Sequence, residues 1–275
     1  MKPIDPSIDT VRAILTIAGS DCSAGAGMQA DLKTFQHFGL HGLTAVTCIV
    51  SETANIVRRV DFVDPAMLQD QILLMLDAFP LTVVKTGMLG SATHVTCVAE
   101  IFKNHPEIKL VVDPVMIAST GASLIETDAI AAYREKLLPF SYLMTPNLPE
   151  AETLLGKKIS SVDEMSCAAK CLTEIYGCAV LIKGGHLESQ ECTDLLCEGE
   201  TEHRFTAPRL DVKASHGTGC TLAAAIAANL ANGKDLPSAV AGAKEYLNEC
   251  LRTSYRFVNR SGEVIHAINQ GTLNK

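Results

Sequence analysis

Short apolar runs alternate with longer amphipathic segments along most of this chain. The short runs are rich in Val, Ile and Leu, which is typical of buried strands, and the segments between them place apolar residues at helical spacing. Because strands alternate with helices, the pattern predicts βαβ units. We therefore expect an α/β fold with three αβα layers: a mainly parallel central sheet covered by helices on both faces.

The pattern predicts strands at 13–18, 44–50, 56–63, 83–85, 110–113, 142–145 and 179–182, and shorter β-like pieces at 194–197 and 202–206. It predicts helices that end near 38 and 104, and others over 65–79, 127–138, 151–155, 162–176, from 221 onward and over 237–253. Since neither a linker nor a repeat divides the chain, we expect one domain over 1–275. Residues 1–12 are a short leader, and 255–275 form a peripheral tail that holds a small hairpin or frays.

Composition limits the partners. With 275 residues, 47% of them hydrophobic, the chain can build a large core, and a net charge of −8 without a basic patch argues against nucleic acid and anionic membranes. No apolar run reaches the ~20 residues that a membrane span requires, and the polar start at 1–6 does not resemble a signal peptide. The ten cysteines show neither CxxC nor zinc spacing, so we expect a reducing, cytoplasmic setting.

The stretch His216–Cys220 is the strongest candidate for chemistry. It places Gly217 and Gly219 directly before an Ala-rich helix. Glycines in such a turn allow the backbone to approach a ligand, and the first N–H groups of the helix point outward, so Gly217, Thr218 and Gly219 predict an anion site, most often a phosphate site.

Cys220 has two interpretations. At a helix N-terminus the pKa of a thiol can fall to roughly 3.5–7.5, and a thiolate beside a phosphate would accept a proton from an attacking hydroxyl. Alternatively, the stretch is a glycine-containing loop with a buried, inert cysteine. The pentapeptide alone leaves the two open, because short glycine motifs are weak signals.

Another glycine-rich loop, 19–27, follows the first predicted strand. Its glycine spacing matches neither the dinucleotide fingerprint GxGxxG nor the P-loop, which needs Gly-Lys-Ser/Thr. We therefore expect neither of these two nucleotide-binding motifs here.

Polar residues also gather where the predicted strands end, at the edge where open α/β sheets bind ligands. They are Asp21, Asp113, Asn147, Glu150 and Lys183. Each has an ordinary structural explanation: Asp21 can cap a helix, Glu150 can favour the first turn of its helix, and Lys183 can be solvated. Their placement on one rim favours a site.

This set fits phosphoryl transfer. Asp113 and Glu150 can hold Mg²⁺, Lys183 can reach nucleotide phosphates, the turn Gly217–Cys220 can stabilise developing charge, and Cys220 can act as base. Positioning and preorganised electrostatics would supply most of the catalysis.

Six segments carry a family resemblance: TIAGSDCSAGAGMQADLKTF, VKTGMLGS, VVDPVM, LMTPNLPEAE, LIKGGH and SHGTGCTLAAAIA. In this order and spacing, they resemble the hydroxymethylpyrimidine/phosphomethylpyrimidine kinases of thiamine biosynthesis, within the ribokinase-like superfamily. The resemblance covers roughly 13–251. It implies a ribokinase-like fold, a homodimer, and ATP-dependent phosphorylation of an aminopyrimidine alcohol and then of its monophosphate.

The resemblance also implies roles for single residues. Cys220 falls at the position of the catalytic cysteine, Lys183 at a phosphate-contacting lysine, and Asp113 and Glu150 at Mg²⁺-supporting positions. With Gly217 and Gly219, His216 belongs to the implied nucleotide site. Around the implied pyrimidine pocket fall Gly19, Asp31, Glu52 and Met88. Ser119–Ser123 is a candidate flap over the site.

One departure is Glu52, where the family usually has a ring-contacting glutamine. An ionised glutamate only accepts hydrogen bonds, whereas an amide both donates and accepts. Glu52 would instead suit a protonated pyridine nitrogen, so a pyridoxine/pyridoxal kinase is an alternative; the residue can also be a surface position with a shifted role. A catalytically silent ligand-binding module on the same scaffold is a third possibility. The tail also departs from the family: its segment 261–266 only weakly resembles the Gly-rich, His-containing end that the family usually has.

Overall fold

The structure is a computed structural model of the chain, and it describes residues 11–116, 127–187, 189–214 and 216–271. The candidate flap Ser119–Ser123 lies outside the described residues, as does Ser215.

One sheet of nine strands forms the centre of the molecule. The strands are β1 (Ala13–Asp21), β2 (His41–Thr53), β3 (Ile56–Phe62), β4 (Val83–Thr86), β5 (Lys109–Val112), β6 (Leu143–Met144), β7 (Ala179–Ile182), β8 (Glu191–Glu198) and β9 (Thr201–Pro208). Their order is β3-β2-β1-β4-β5-β6-β7-β8-β9. The six strands from β2 to β7 in this order are parallel, whereas β3, β8 and β9 pair antiparallel at the two edges. The mainly parallel sheet is therefore confirmed.

Both faces of the sheet are buried, because alternate residues of each central strand pack into different cores. In β1, Ile14 packs into one core and Leu15 into the other, and Val111 and Val112 divide in the same way in β5. This period of two, with both sets apolar, explains why the central strands read as continuous hydrophobic runs.

The helices cover these two faces. They are α1 (Gly27–His37), α2 (Pro65–Ala78), α3 (Ala92–Phe102), α4 (Thr127–Ala132), α5 (Leu148–Leu155), α6 (Val162–Tyr176), α7 (Thr218–Ala231) and α8 (Leu236–Arg252). One core contains side chains of α1, α7 and α8, and the other contains side chains of α2 to α6. The sandwich of helices, sheet and helices is thus the predicted one.

Three local expectations are corrected. β2 continues to Thr53 rather than ending at residue 50, because β3 pairs with it through an irregular register near Glu52. The helix expected over 127–138 changes to a π-helical segment, Tyr133–Leu137, and then to a 3-10 turn, Leu138–Phe140. The tail forms the hairpin β10 (Tyr255–Val258) and β11 (Val264–Ala267), but residues beyond it are buried rather than peripheral.

Candidate active site

A cavity of about 510 Å³ opens at the carboxyl ends of the parallel strands. The chain runs from β1 outward to β3 and then returns to β4 on the other side of β1, so the strand order reverses between β1 and β4. Ligands of open α/β sheets bind at such a reversal. Eleven of the twelve site residues expected from the sequence line this cavity: Gly19, Glu52, Met88, Asp113, Glu150, Lys183, His216, Gly217, Thr218, Gly219 and Cys220.

The N-terminus of α7 forms one wall of the cavity. Gly217 precedes the helix with φ +82°, a left-handed conformation, and a Cβ there would lie 1.9 Å from the Gly25 carbonyl oxygen. Glycine is therefore required at this position by both backbone conformation and space. The turn brings the first N–H groups of α7 to the cavity, which is the geometry for an anion.

Cys220 lies in this first turn, on the cavity wall. Burial raises the pKa of its thiol to about 11, although the nearby charge of Lys85 acts in the opposite direction. Of the two interpretations of Cys220, the one with a lowered pKa is therefore wrong, because desolvation outweighs the helix terminus. The thiol is neutral at pH 7.

Lys183 contributes a fixed positive charge opposite this turn. It follows β7, and its Nζ donates to Asp113 Oδ1 at 2.8 Å, while the hydroxyl of Thr145 donates to the same oxygen at 3.2 Å. Burial alone would lower the pKa of Lys183, but Asp113 and Glu150 outweigh it and raise the pKa, so the ammonium stays charged. Its side chain is 13% exposed, which does not fit the solvated-lysine explanation.

Glu150 is tied to the start of α5. Its Oε2 accepts from the backbone N–H of Asn147 at 2.8 Å, and Asn147 Oδ1 accepts in return from the Glu150 N–H at 2.9 Å, which completes a capping box. The helix-terminus explanation therefore holds for Glu150, and the carboxylate still lines the cavity. Burial raises its pKa, Lys183 opposes this rise, and Asp113 adds to it.

Asp113 and Glu150 suit a magnesium ion better than a closed metal cage. Within the part of the chain that the structure describes, no group of three or more His, Cys, Asp or Glu side chains forms a metal site. Mg²⁺ is usually held by one or two carboxylates together with water and substrate phosphates. The repulsion from Asp113, which contributes to the raised pKa of Glu150, is a repulsion that a divalent cation would relieve.

The other end of the cavity is formed by Gly19, Met88 and Glu52. A Cβ at Gly19 would lie 2.7 Å from Cys48 Sγ, so this wall is close-packed. Burial raises the pKa of Glu52, Asp21 raises it further, and His216 acts in the opposite direction. Glu52 is therefore part of the cavity rather than an uninvolved surface residue.

Asp21 fills the loop that precedes α1. Its carboxylate accepts from the N–H groups of Ser23 (2.7 Å), Gly25 (3.0 Å) and Ala26 (2.8 Å), and its Oδ2 lies 3.0 Å from His216 Nε2. Burial alone would raise the pKa of Asp21, but the hydrogen bonds from His216, Ala26 and Ser23 outweigh it and lower the pKa to about 2. The capping interpretation of Asp21 is therefore wrong: the N-cap of α1 is Ala26, and Asp21 binds N–H groups of the loop before the helix.

Asp31 is the one expected site residue that does not line the cavity. It is fully buried, accepts from Thr16 Oγ1 at 2.6 Å, and forms an ion pair with Lys85 Nζ at 2.8 Å. Asp31 points into the layer between α1 and the sheet because its neighbours on that helix face, Ala30 and Thr34, are core residues.

Sequence reasoning missed Lys85 and Gln270. Lys85 has no exposed surface and lies within an apolar strand, a place where a lysine is found only with a partner, so its position was a usable signal. Gln270 lies in a polar tail that carries no such signal, yet its amide binds both the loop before α1 and the first turn of α7. No helix among the described residues is long and apolar enough to cross a membrane.

Comparison with known proteins shows the family of the chain. The model of the phosphomethylpyrimidine kinase family matches residues 21–265. The hydroxymethylpyrimidine/phosphomethylpyrimidine kinase of Bacillus subtilis is 39% identical over 267 residues, which cover 96% of this chain and 98% of that protein. The thiamine biosynthesis bifunctional protein ThiED of Geobacter sulfurreducens is 41% identical over 93% of this chain, which spans about half (52%) of the length of that relative.

Among solved structures, the pyridoxal kinase of Staphylococcus aureus in complex with AMP-PCP and pyridoxal is similar with a TM-score of 0.86 and 34% identity. The match covers 97% of this chain and 96% of that one. The ribokinase-like fold is thus shared with a pyridoxal kinase. Because the family model matches residues 21–265 and a relative of nearly the same length is 39% identical, the chain belongs to the phosphomethylpyrimidine kinase family, phosphotransferases of thiamine biosynthesis.

Proposed function

We propose that the chain transfers the γ-phosphoryl group of ATP to 4-amino-5-hydroxymethyl-2-methylpyrimidine and then phosphorylates the monophosphate to the diphosphate. The observation that carries this proposal is one cavity with two unlike ends. The α7 turn, Lys183 and the two acidic residues form a polar end, and Gly19, Met88 and Glu52 line the other end. We further propose that residues 1–275 form one kinase domain.

At the polar end, each group has a separate task. Lys183 and the N–H groups of the turn Gly217–Cys220 bind and orient the phosphates, with His216 holding that turn through Asp21. Asp113 and Glu150 hold Mg²⁺, which supplies charge neutralisation when bound. Since phosphoryl transfer has a loose transition state, positioning and electrostatic stabilisation by these groups supply most of the rate.

Cys220 receives the proton of the attacking hydroxyl. A neutral thiol cannot do so, and the pKa of about 11 means that only a small fraction is thiolate at pH 7. We therefore propose that the active form carries the thiolate, next to the positive charges of Lys85 and Lys183, whose own pKa values Cys220 raises. Turnover then rises with pH.

Pyridoxal is the second candidate substrate. Two observations favour it: Glu52 at the ring end, and the similarity to a solved pyridoxal kinase. However, a protonated carboxyl group offers a donor beside an acceptor, as a glutamine amide does. Because burial raises the pKa of Glu52, the protonated form becomes more accessible, and an aminopyrimidine is compatible with it.

An ADP-release assay with Mg-ATP decides between these substrates. Hydroxymethylpyrimidine, its monophosphate and pyridoxal are offered separately to the wild type and to Glu52→Gln. We expect turnover of both pyrimidines, and an increase of roughly tenfold in the pyrimidine-to-pyridoxal ratio of kcat/KM for the variant, the size of one hydrogen bond. An unchanged ratio would remove Glu52 as the specificity residue. Turnover of pyridoxal alone would contradict the pyrimidine assignment.

We also propose a homodimer in the cytoplasm. The β3 edge of the sheet exposes three large apolar side chains, Ile49 (61%), Ile56 (54%) and Phe62 (45%), which suits contact with a second copy. The ten free thiols are typical of a reducing compartment. Light scattering on the wild type and on Ile56→Glu tests the dimer; a monomeric wild type would contradict it.

A further inference from the structure

The C-terminal segment Ile268–Gln270 is built into the protein beside the candidate active site. It lies beyond residue 265, where the match to the family model ends. The backbone N–H of Asn269 donates to the Cys250 carbonyl at 3.0 Å, and the hydroxyl of Tyr246 donates to the Gln270 carbonyl at 2.7 Å. Two bonds to α8 thus fix the backbone on each side of the Gln270 side chain, which is 1% exposed.

The amide of Gln270 joins two separate loops. Its Nε2 donates to the carbonyl of Gly25 at 2.8 Å and to the hydroxyl of Thr221 at 3.1 Å. Gly25 belongs to the loop between β1 and α1, whereas Thr221 lies in the first turn of α7. A carbonyl oxygen only accepts, so the nitrogen of the amide must face the loops. Its Oε1 faces Lys33 Nζ at 3.5 Å.

Both bonds act on Gly217. The Thr221 hydroxyl donates to the Gly217 carbonyl at 2.8 Å, and because it accepts from Gln270, its single proton is directed to that carbonyl. The second route is steric. The Gly25 oxygen, which Gln270 holds, lies only 1.9 Å from where a Cβ of Gly217 would be, so it packs directly against this residue. Gln270 therefore restrains Gly217 from two directions.

We propose that Gln270 is a positioning residue for phosphoryl transfer: it holds the turn Gly217–Cys220 in register with the loop around Gly25. This inference rests on the proposed kinase function, because that function gives the turn its phosphate. Preorganised N–H donors stabilise charge only when they are correctly placed, and a misplacement of about 1 Å costs about 10²-fold in rate. The tail thus acts on the reaction through the turn, without touching a substrate.

Gln270→Met tests the proposal, because methionine keeps the volume and removes the donor. Gln69→Met, at an exposed position of α2, is the matched control. For Gln270→Met we expect kcat for the pyrimidine to fall by at least about tenfold, the equivalent of one lost hydrogen bond, with KM for the pyrimidine changed less than about twofold. Deuterium uptake should become faster in peptides that contain residues 23–27 and 217–221. The control should match the wild type in all three quantities.

Two results would overturn the proposal. One is an unchanged kcat per folded molecule with a lowered Tm, since this would mean that Gln270 only stabilises the tail. The other is unchanged deuterium uptake in both loops. If the wild type phosphorylates none of the three substrates, the proposed function fails, and the exchange measurement alone still decides whether Gln270 holds the two loops together.

Discussion

Two glycine-containing loops pack against each other beside the cavity, and they differ in how each meets the carboxylate of Asp21. The loop Cys22–Ala26 encloses the carboxylate of Asp21. This carboxylate accepts hydrogen bonds from three backbone N–H groups of the loop. Ala24 in this loop has φ +59°, which is unfavourable for a residue with a Cβ, and its carbonyl is held by Lys33 Nζ at 2.6 Å. The chain thus provides its own anion here, and the loop is a scaffold.

The loop at His216–Cys220 meets the same carboxylate through a side chain, since Asp21 Oδ2 lies 3.0 Å from His216 Nε2. The N-cap of α7, Gly217, makes no side-chain cap hydrogen bond, and Lys183 Nζ lies beside the turn, 3.4 Å from where a Cβ of Gly219 would be. Glycines before a helix therefore do not by themselves indicate an anion site. The difference between the two loops is what the Asp21 carboxylate binds: three N–H groups in the first loop, and the His216 side chain in the second. The proposed substrate anion is bound by the N–H groups of the second loop.

Removal of Cys220 should have the largest effect. Cys220→Ala deletes the proposed proton acceptor from the second loop, and we expect kcat to fall by about 10²–10⁴-fold, the contribution of a general base. Nucleotide affinity should stay within about twofold, because the N–H groups remain in place. Steady-state kinetics and calorimetry with ADP measure both, with Cys171→Ala, an exposed cysteine, as control.

The pH dependence belongs to the same test. The wild-type kcat should rise by about tenfold per pH unit below a pKa of about 11 until another step becomes limiting. A variant with a near-normal rate, or a flat wild-type profile, would leave the second loop with anion binding alone.

Giving the second loop a carboxylate of its own should make it resemble the first. A Cβ at Gly219 would lie 3.4 Å from Lys183 Nζ and 3.8 Å from Asp113 Oδ2, so a side chain has room there and points at the phosphate side. Gly219→Asp should weaken ATP binding by about 100-fold through like-charge repulsion. Gly219→Asn, of the same size but neutral, is the matched control. Equal losses in both variants, measured by calorimetry, would mean that space rather than charge decides.

Removal of the Asp21 charge from the first loop should lower the free energy of unfolding more than it lowers kcat. Asp21→Asn removes the charge that His216 and three N–H groups bind. The lowering of the Asp21 pKa from 3.8 to about 2 corresponds to a contribution of about 2 kcal/mol to the free energy of unfolding. Urea unfolding at pH 7 should show this loss. A variant as stable as the wild type, but with a large loss in kcat, would reverse the roles of the two loops.

A smaller effect is expected from pH alone. The pKa of Asp21 is lowered in the folded state, so its contribution is complete above the unfolded pKa near 4 and is lost as the pH falls toward about 2. Burial would lower the pKa of His216, but Asp21 outweighs burial and raises the pKa. The contribution of His216 to the free energy of unfolding is therefore present below pH 6.5 and is lost as the pH rises through the raised pKa. Wild-type stability followed across these two windows should fall at each end, and Asp21→Asn should weaken both dependences.

The fold class, the approximate bounds of most strands and most residues of the cavity rim could be predicted from the sequence. Strand and helix periodicities are local properties, and both faces of a parallel sheet must be apolar, so these features are legible without coordinates. Polar residues that follow buried parallel strands gather at one edge of the sheet, because the carboxyl ends of these strands meet there. The motif order around Cys220 and Lys183 added the family and the phosphoryl chemistry.

Only the tertiary structure decided how each polar group is used. Whether a thiol at a helix start is acidic depends on desolvation by residues distant in sequence, and here burial gives Cys220 a pKa of about 11. Asp31 turned inward because Lys85, 54 residues away, supplies its counter-charge. Gln270 reached Gly25 across 245 residues. Such pairings depend on distance in space, which the local pattern of a sequence does not contain.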